Sequence, residues 1–150
     1  MNPNYKPVEP DFEVRIRNSF ERQQVMQLLN ACLVKVQPGE VHIELPFSPK
    51  ITQQHGYVHA GIITTILDSA CGYAAFSLMP AYSSVLSVEF KMNFLHPAKG
   101  ETFVGIGKVV KAGRTLTVCT GEMQALNQEK NLVIAIMQAT MISVASRSSS

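Results

Sequence analysis

Residues 58–80 read VHAGIITTILDSACGYAAFSLMP, a run with no Lys, Arg or Glu and a single carboxylate, Asp68. His59 stands at its start. A helix built from this run is apolar or small on every side, so it belongs in an interior and needs cover over most of its surface. An ionised carboxylate there is costly unless it is paired or hydrogen-bonded. Asp68 is therefore either satisfied by hydroxyls such as Thr64, Thr65 or Ser69, or kept for a function. The run is long enough to raise the question of a membrane span. Thr64, Thr65, Asp68, Ser69 and Ser77 argue against one, as do the short alternating strands that follow and need a core to cover. The run is read as a central helix over residues 58–79 of a soluble protein.

The rest of the chain supplies the cover. Residues 1–11, with three prolines, make an irregular lead-in. Asp11 is placed to cap a helix over residues 12–30, with Ile16, Phe20, Met26 and Leu29 at roughly helical spacing. Val34 and Val36 alternate, Pro38-Gly39 marks a turn, and Val41, Ile43 and Leu45 alternate again, which predicts a hairpin. Residues 48–58 form a loop. After Pro80 come four strand patterns, beginning near Val85, Thr102, Thr115 and Leu132. They are separated by Pro97-Ala98-Lys99-Gly100, by Ala112-Gly113-Arg114 and by residues 127–131. Gly105 and Gly107 predict a close backbone approach. Residues 145–150 read as a frayed tail. Consecutive strands with short turns argue for one antiparallel sheet. A strongly curved sheet wrapped around the apolar helix gives an α+β single domain over residues 1–150.

Bulk properties exclude several classes. With 46% hydrophobic and 16% charged residues, the chain is ordered and its surface charge-poor, which points to cover by another subunit. The net charge is +2 and there is no basic cluster, so neither nucleic acid nor a membrane is an expected partner. Cys32, Cys71 and Cys119 form no C-x-x-C and no disulfide framework, which suits a cytoplasmic location. The first residues contain no apolar signal segment. No zinc spacing, nucleophile elbow, P-loop or dinucleotide fingerprint is present, and no metal is implied.

The start of the central helix is the second feature. The backbone N–H groups of Ala60 and Gly61 have no partner within a helix beginning there, and they lie at its positive end. Such donors stabilise a developing oxyanion, and the small residues of His59-Ala60-Gly61 let a carbonyl approach; close helix–strand packing is the plainer reading. Ala60 and Asp68 are eight positions apart, roughly 12 Å along a helix axis. A base and an oxyanion donor must each come within about 3 Å of the same reacting group. If both act on one substrate, they come from different subunits, with two helices antiparallel across a two-fold axis.

The stretch TQQHGYVHAGIITTILDSACGYAA, with SVEFKMNFLHPAKGE and VVKAGRTLTV after it, resembles the hotdog-fold acyl-CoA thioesterases of the phenylacetate-pathway (PaaI-like) type. The resemblance spans roughly residues 12–144. It implies hydrolysis of an acyl or aryl-acyl thioester to a free acid and coenzyme A, with no separate cofactor, by a homodimer or a pair of dimers. It implies Asp68 as general base or nucleophile and the Ala60 N–H of the partner subunit as oxyanion donor. Ala60 stands where the family usually has Gly, so its methyl narrows the approach to the carbonyl. Gln53 corresponds to the loop amide that orients the thioester or water, and Ser87 to a strand hydroxyl that assists the acid in some members. His59 and Gly61 flank the donor. Coenzyme A phosphates are expected near Lys111, Gly113 and Arg114, with Lys91 and Lys99 as further candidates. Phe76, Leu78, Met79, Phe90, Met92 and Phe94 are candidates for an acyl slot or for core. Two other readings stay open: a hotdog dehydratase or hydratase, whose usual His–acid pairing is not evident around Asp68, and a non-catalytic acyl-CoA binding module.

Overall fold

The computed structural model describes residues 4–128 and 130–146. Helices α1 (Phe12–Glu21) and α2 (Gln24–Leu28) lead into the hairpin β1 (Cys32–Gln37) and β2 (Glu40–Pro46). A single 3-10 turn (Pro49–Ile51) precedes α3 (Ala60–Phe76). Then follow β3 (Ser83–Phe94), β4 (Thr102–Ala112), β5 (Leu116–Leu126) and β6 (Asn131–Ala145). The strands form one antiparallel sheet in the order β1-β2-β4-β5-β6-β3. The sheet packs on α3, as the order of elements leads one to expect.

Period-two alternation puts Val41, Ile43 and Leu45 of β2, Phe103 and Val109 of β4, and Cys119, Met123 and Ala125 of β5 into the core. They meet Ile63, Ile66, Leu67, Ala70, Cys71 and Ala74 of α3. The predicted close approach is observed at Gly107, where a Cβ would collide with the backbone of Ala70 and Cys71. Cys71 and Cys119 are both buried free thiols; burial pushes Cys119 up to about 12.

Four expectations need correction. The helix over residues 12–30 is broken at Arg22 and Gln23. Gln23 has extended backbone (φ −80°, ψ 96°), and its amide is turned onto α3, where Nε2 donates to Tyr73 Oη at 3.0 Å and Oε1 accepts from Ser69 Oγ at 2.9 Å. Asp11 occupies the N-cap position without a side-chain bond; its carbonyl accepts from Arg15 N instead. The central helix is shorter than residues 58–79. Val58 forms a bridge with Thr52, and His59 is the N-cap. At the far end Arg15 Nη2 donates to Phe76 O at 2.9 Å and Met79 O at 2.8 Å, closing a terminus that Pro80 cannot extend. Of the expected tail, residues 147–150 lie outside the described residues; Ala145 still belongs to β6.

Candidate functional site

The sheet does not wrap α3 completely. Gly61 is exposed, and Thr64, Thr65, Asp68 and Gly72 are half-buried. Their spacing places them along one flank of the helix. Asp68 is thus less enclosed than the apolar run suggests. Its proposed hydroxyl partners are engaged elsewhere: Thr64 Oγ1 donates to Ala60 O, Thr65 Oγ1 to Gly61 O, and Ser69 Oγ to Gln23. The partner is Ser87, whose Oγ donates to Asp68 Oδ1 at 2.5 Å. Ser87 lies beside an irregularity in the β3–β6 register between Ser87 and Glu89. Such irregularities re-aim side chains, and here the hydroxyl turns to the helix.

Asp68 and Ser87 line a cavity of about 230 Å³ together with Ser19, Gln23, Ser69 and Tyr73. Sequence reasoning did not identify Ser19, Gln23 or Tyr73. They meet only because α1 folds back on α3: Ser19 Oγ lies 3.2 Å from Tyr73 Oη, and Phe20 packs on the Tyr73 ring with centroids 6.1 Å apart. The one signal in the chain was the polar run Arg22-Gln23-Gln24 inside an otherwise amphipathic helix.

A second hollow, of about 450 Å³, surrounds the start of α3 and is lined by Gln53, Tyr57, His59, Ala60, Ile63 and Phe94, among others. Of the four leading N–H groups of α3, that of His59 donates to Ile51 O and two others are taken up by His59 itself. Its Nδ1 accepts from Gly61 N at 2.8 Å, and its carbonyl accepts from Ile62 N and Ile63 N. The Ala60 N–H is left, with no protein acceptor among the described residues. Gly61 therefore offers no free N–H to a ligand, whereas Ala60 does. Gln53 enters the same hollow from the preceding turn. Its N–H donates to Tyr57 O at 2.8 Å, its carbonyl accepts from Gly56 N, and its Oε1 accepts from His55 N at 2.5 Å. Gly56 closes that turn with φ +84°, a value natural only to glycine. The side-chain amide N–H groups of Gln53 remain uncommitted among the described residues.

The structure thus brings Asp68 together with Ser87, and Ala60 together with Gln53 and His59. The two sets sit in hollows that share no lining residue. Lys111, Gly113 and Arg114 lie at the exposed β4–β5 turn and line neither. Of the acyl-slot candidates, Phe76 and Met79 are buried in the core, Phe90 is exposed on β3, and Phe94 lines the Ala60 hollow. Among the described residues no group of three His, Cys, Asp or Glu side chains is arranged to hold a metal ion, and no helix is long and apolar enough to cross a membrane.

Comparison with known proteins agrees with this architecture. Residues 55–131 match the family profile described as Thioesterase superfamily. A thioesterase family protein from Silicibacter pomeroyi is 49% identical and superposes with a TM-score of 0.88, over 90% of this chain and 99% of that one. The PaaI protein of the phenylacetic acid degradation operon of E. coli superposes with a TM-score of 0.81 over 91% of this chain and 95% of that one; at 16% identity this is a likeness of fold. Acyl-coenzyme A thioesterase 13 of Homo sapiens is 32% identical over 85 residues, which are 56% of this chain and 60% of that protein.

Proposed function

Because the chain belongs to the thioesterase superfamily, we propose that this hotdog-fold thioester hydrolase acts on acyl-CoA or aryl-acyl-CoA at a site completed by two subunits. The observation that carries the proposal is the division of labour on α3. Its free N–H at Ala60 and its carboxylate at Asp68 are eight residues apart in one helix, roughly 12 Å, and open into separate hollows.

In this reading the thioester carbonyl oxygen accepts the Ala60 N–H of one protomer, at the positive end of α3. Gln53 of the same protomer orients the thioester or the water. Asp68 of the other protomer, held by Ser87, takes a proton from water as the water oxygen bonds to the carbonyl carbon. The carbonyl electrons move to the oxygen and return as the C–S bond breaks, and the departing sulfur takes the proton from Asp68. Alternatively Asp68 itself attacks the carbonyl carbon, the C–S bond breaks to release the thiolate, and water then hydrolyses the resulting anhydride, one of its protons going to the thiolate and the other leaving with the acid. Coenzyme A leaves as product, and no separate cofactor takes part. Label recovered in Asp68 after a single turnover in ¹⁸O-water establishes attack by Asp68, because it arises only when water opens an anhydride at the Asp68 carbonyl and an Asp68 oxygen leaves with the product acid.

The surface supports a homodimer. β3 is a 12-residue edge strand on which Leu86, Val88, Phe90 and Phe94 are 42–58% exposed. A long apolar edge of this kind calls for cover. The test is thiol release from short, long and aryl acyl-CoAs by wild type and Asp68→Asn. The substitution is expected to lower kcat by about 100-fold or more. Full activity in Asp68→Asn would sink the mechanism. Binding without turnover by the wild type would instead support an acyl-CoA binding module.

A further inference from the structure

Gly72 lies in the body of α3, where glycine destabilises a helix relative to alanine. Other glycines in or against this helix have a packing reason. A Cβ on Gly61 would stand 3.1 Å from Nδ1 of the capping His59, one on Gly105 would stand 2.7 Å from Ile66 Cγ2, and one on Gly107 would collide with the Ala70 backbone. A Cβ on Gly72 meets nothing within 4 Å. Gly72 has helical backbone without a positive φ, so alanine fits there as well. Nothing in the packing of the protomer requires glycine at this position. Gly72 is one turn beyond Asp68 on the same flank of α3, which sets the two Cβ positions about 5–6 Å apart. Both residues line the 230 Å³ cavity, across from Val85 and Leu86 of β3 and Met141 of β6.

We propose that Gly72 is a specificity-determining residue: it holds open the wall against which the acyl group of the thioester lies, and so sets how wide an acyl group fits beside Asp68. The volume fits one end of the substrate. It exceeds the roughly 150 Å³ that takes a benzene ring, yet it is below the roughly 300–1000 Å³ of a pocket for a whole drug-sized ligand. The acyl group therefore fits, and coenzyme A does not. A carbonyl carbon that Asp68 serves stands about 3 Å from the reacting oxygen, so the first atoms of the acyl group lie within a helical turn of Gly72. A methyl at position 72 enters that space, and a longer side chain fills it.

The inference rests on the thioesterase reading, and its test separates the two. Thiol release from acetyl-, octanoyl- and phenylacetyl-CoA is measured for wild type, Gly72→Ala and Gly72→Leu, with thermal melting and light scattering on each protein. The quantity read is kcat/KM for the widest acyl group that the wild type hydrolyses, relative to the narrowest. This ratio is expected to fall about tenfold in Gly72→Ala and further in Gly72→Leu, because a single methyl in a fitted pocket discriminates by that much. The Tm of Gly72→Ala should be no lower than that of wild type, and its subunit assembly the same. An unchanged ratio in both variants overturns the inference. A lower Tm or an altered assembly of Gly72→Ala overturns it too, since Gly72 would then pack against protein and not against substrate. Should the wild type hydrolyse no thioester, calorimetric titration with phenylacetyl-CoA decides. Binding that Gly72→Leu weakens tenfold or more supports the acyl pocket while the thioesterase reading fails; equal binding, or none, overturns it.

Discussion

Replacing Ala60 by proline removes one atom pair from the proposed site and little else. Ala60 is the first residue of α3, where proline is tolerated because its N–H has no intrahelical acceptor. Here that N–H has no protein acceptor at all among the described residues. The preceding residue must be extended for proline to follow, and His59 already is, at φ −59° and ψ 137°. The capping bonds from Gly61, Ile62 and Ile63 to His59 are untouched. Folding should therefore survive with a change in stability of about 0.5 kcal/mol or less. Catalysis should not survive intact, because removing one preorganised oxyanion donor costs about 3 kcal/mol, or roughly 100- to 1000-fold in kcat. Ala60→Gly, which keeps the N–H and removes the methyl, is the matched control and should retain activity. The assay is steady-state thiol release, with circular dichroism and thermal melting to establish the fold. A well-folded Ala60→Pro protein with wild-type kcat would refute the assignment of this N–H to the oxyanion.

Other perturbations probe the supports of the site. Ser87→Ala removes a charge-assisted hydrogen bond to Asp68; since Ser87 is exposed and water can replace it, the expected cost is about 1 kcal/mol, roughly fivefold in kcat. An effect as large as that of Asp68→Asn would show that Ser87 does more than orient the carboxylate. Gly107→Ala drives a methyl into the backbone of α3, which should cost about 3 kcal/mol and lower Tm by roughly 6–12 °C; an unchanged melt would mean that α3 does not sit on β4 as described. Mixing Asp68→Asn with Ala60→Pro subunits should restore activity in hybrid dimers, and no recovery after demonstrated exchange would contradict the shared site.

Much of the fold was legible because its determinants are local. Alternation and the Pro38-Gly39 turn mark β1 and β2, and the charge-free run marks α3. The break at Gln23 was not legible, because it exists to bring one amide to Tyr73 and Ser69, residues 50 and 46 positions away. The enclosure of Asp68 was overestimated from average polarity. The small and hydroxylated residues at 61, 64, 65, 68 and 72 did trace the uncovered stripe, but only their joint periodicity distinguishes it from core. The direction of Ser87 was ambiguous because the register irregularity after it breaks the alternation from which direction is read.

A single strand relates the two halves of the proposed site. β3 carries Ser87, which holds Asp68, and Phe94, which lines the Ala60 hollow. These residues are seven apart, roughly 23 Å in an extended strand. Antiparallel pairing of β3 with its copy about a two-fold axis between Phe90 and Lys91 would set Ser87 of each protomer opposite Phe94 of the other. The same pairing would cover the exposed edge, whose apolar side chains are otherwise a liability in water. It would also bring the carboxylate of one subunit toward the free N–H of the other, which one helix cannot do by itself. Cover for this edge and a partner for the proposed shared site thus fit the same symmetry, a closed two-fold dimer.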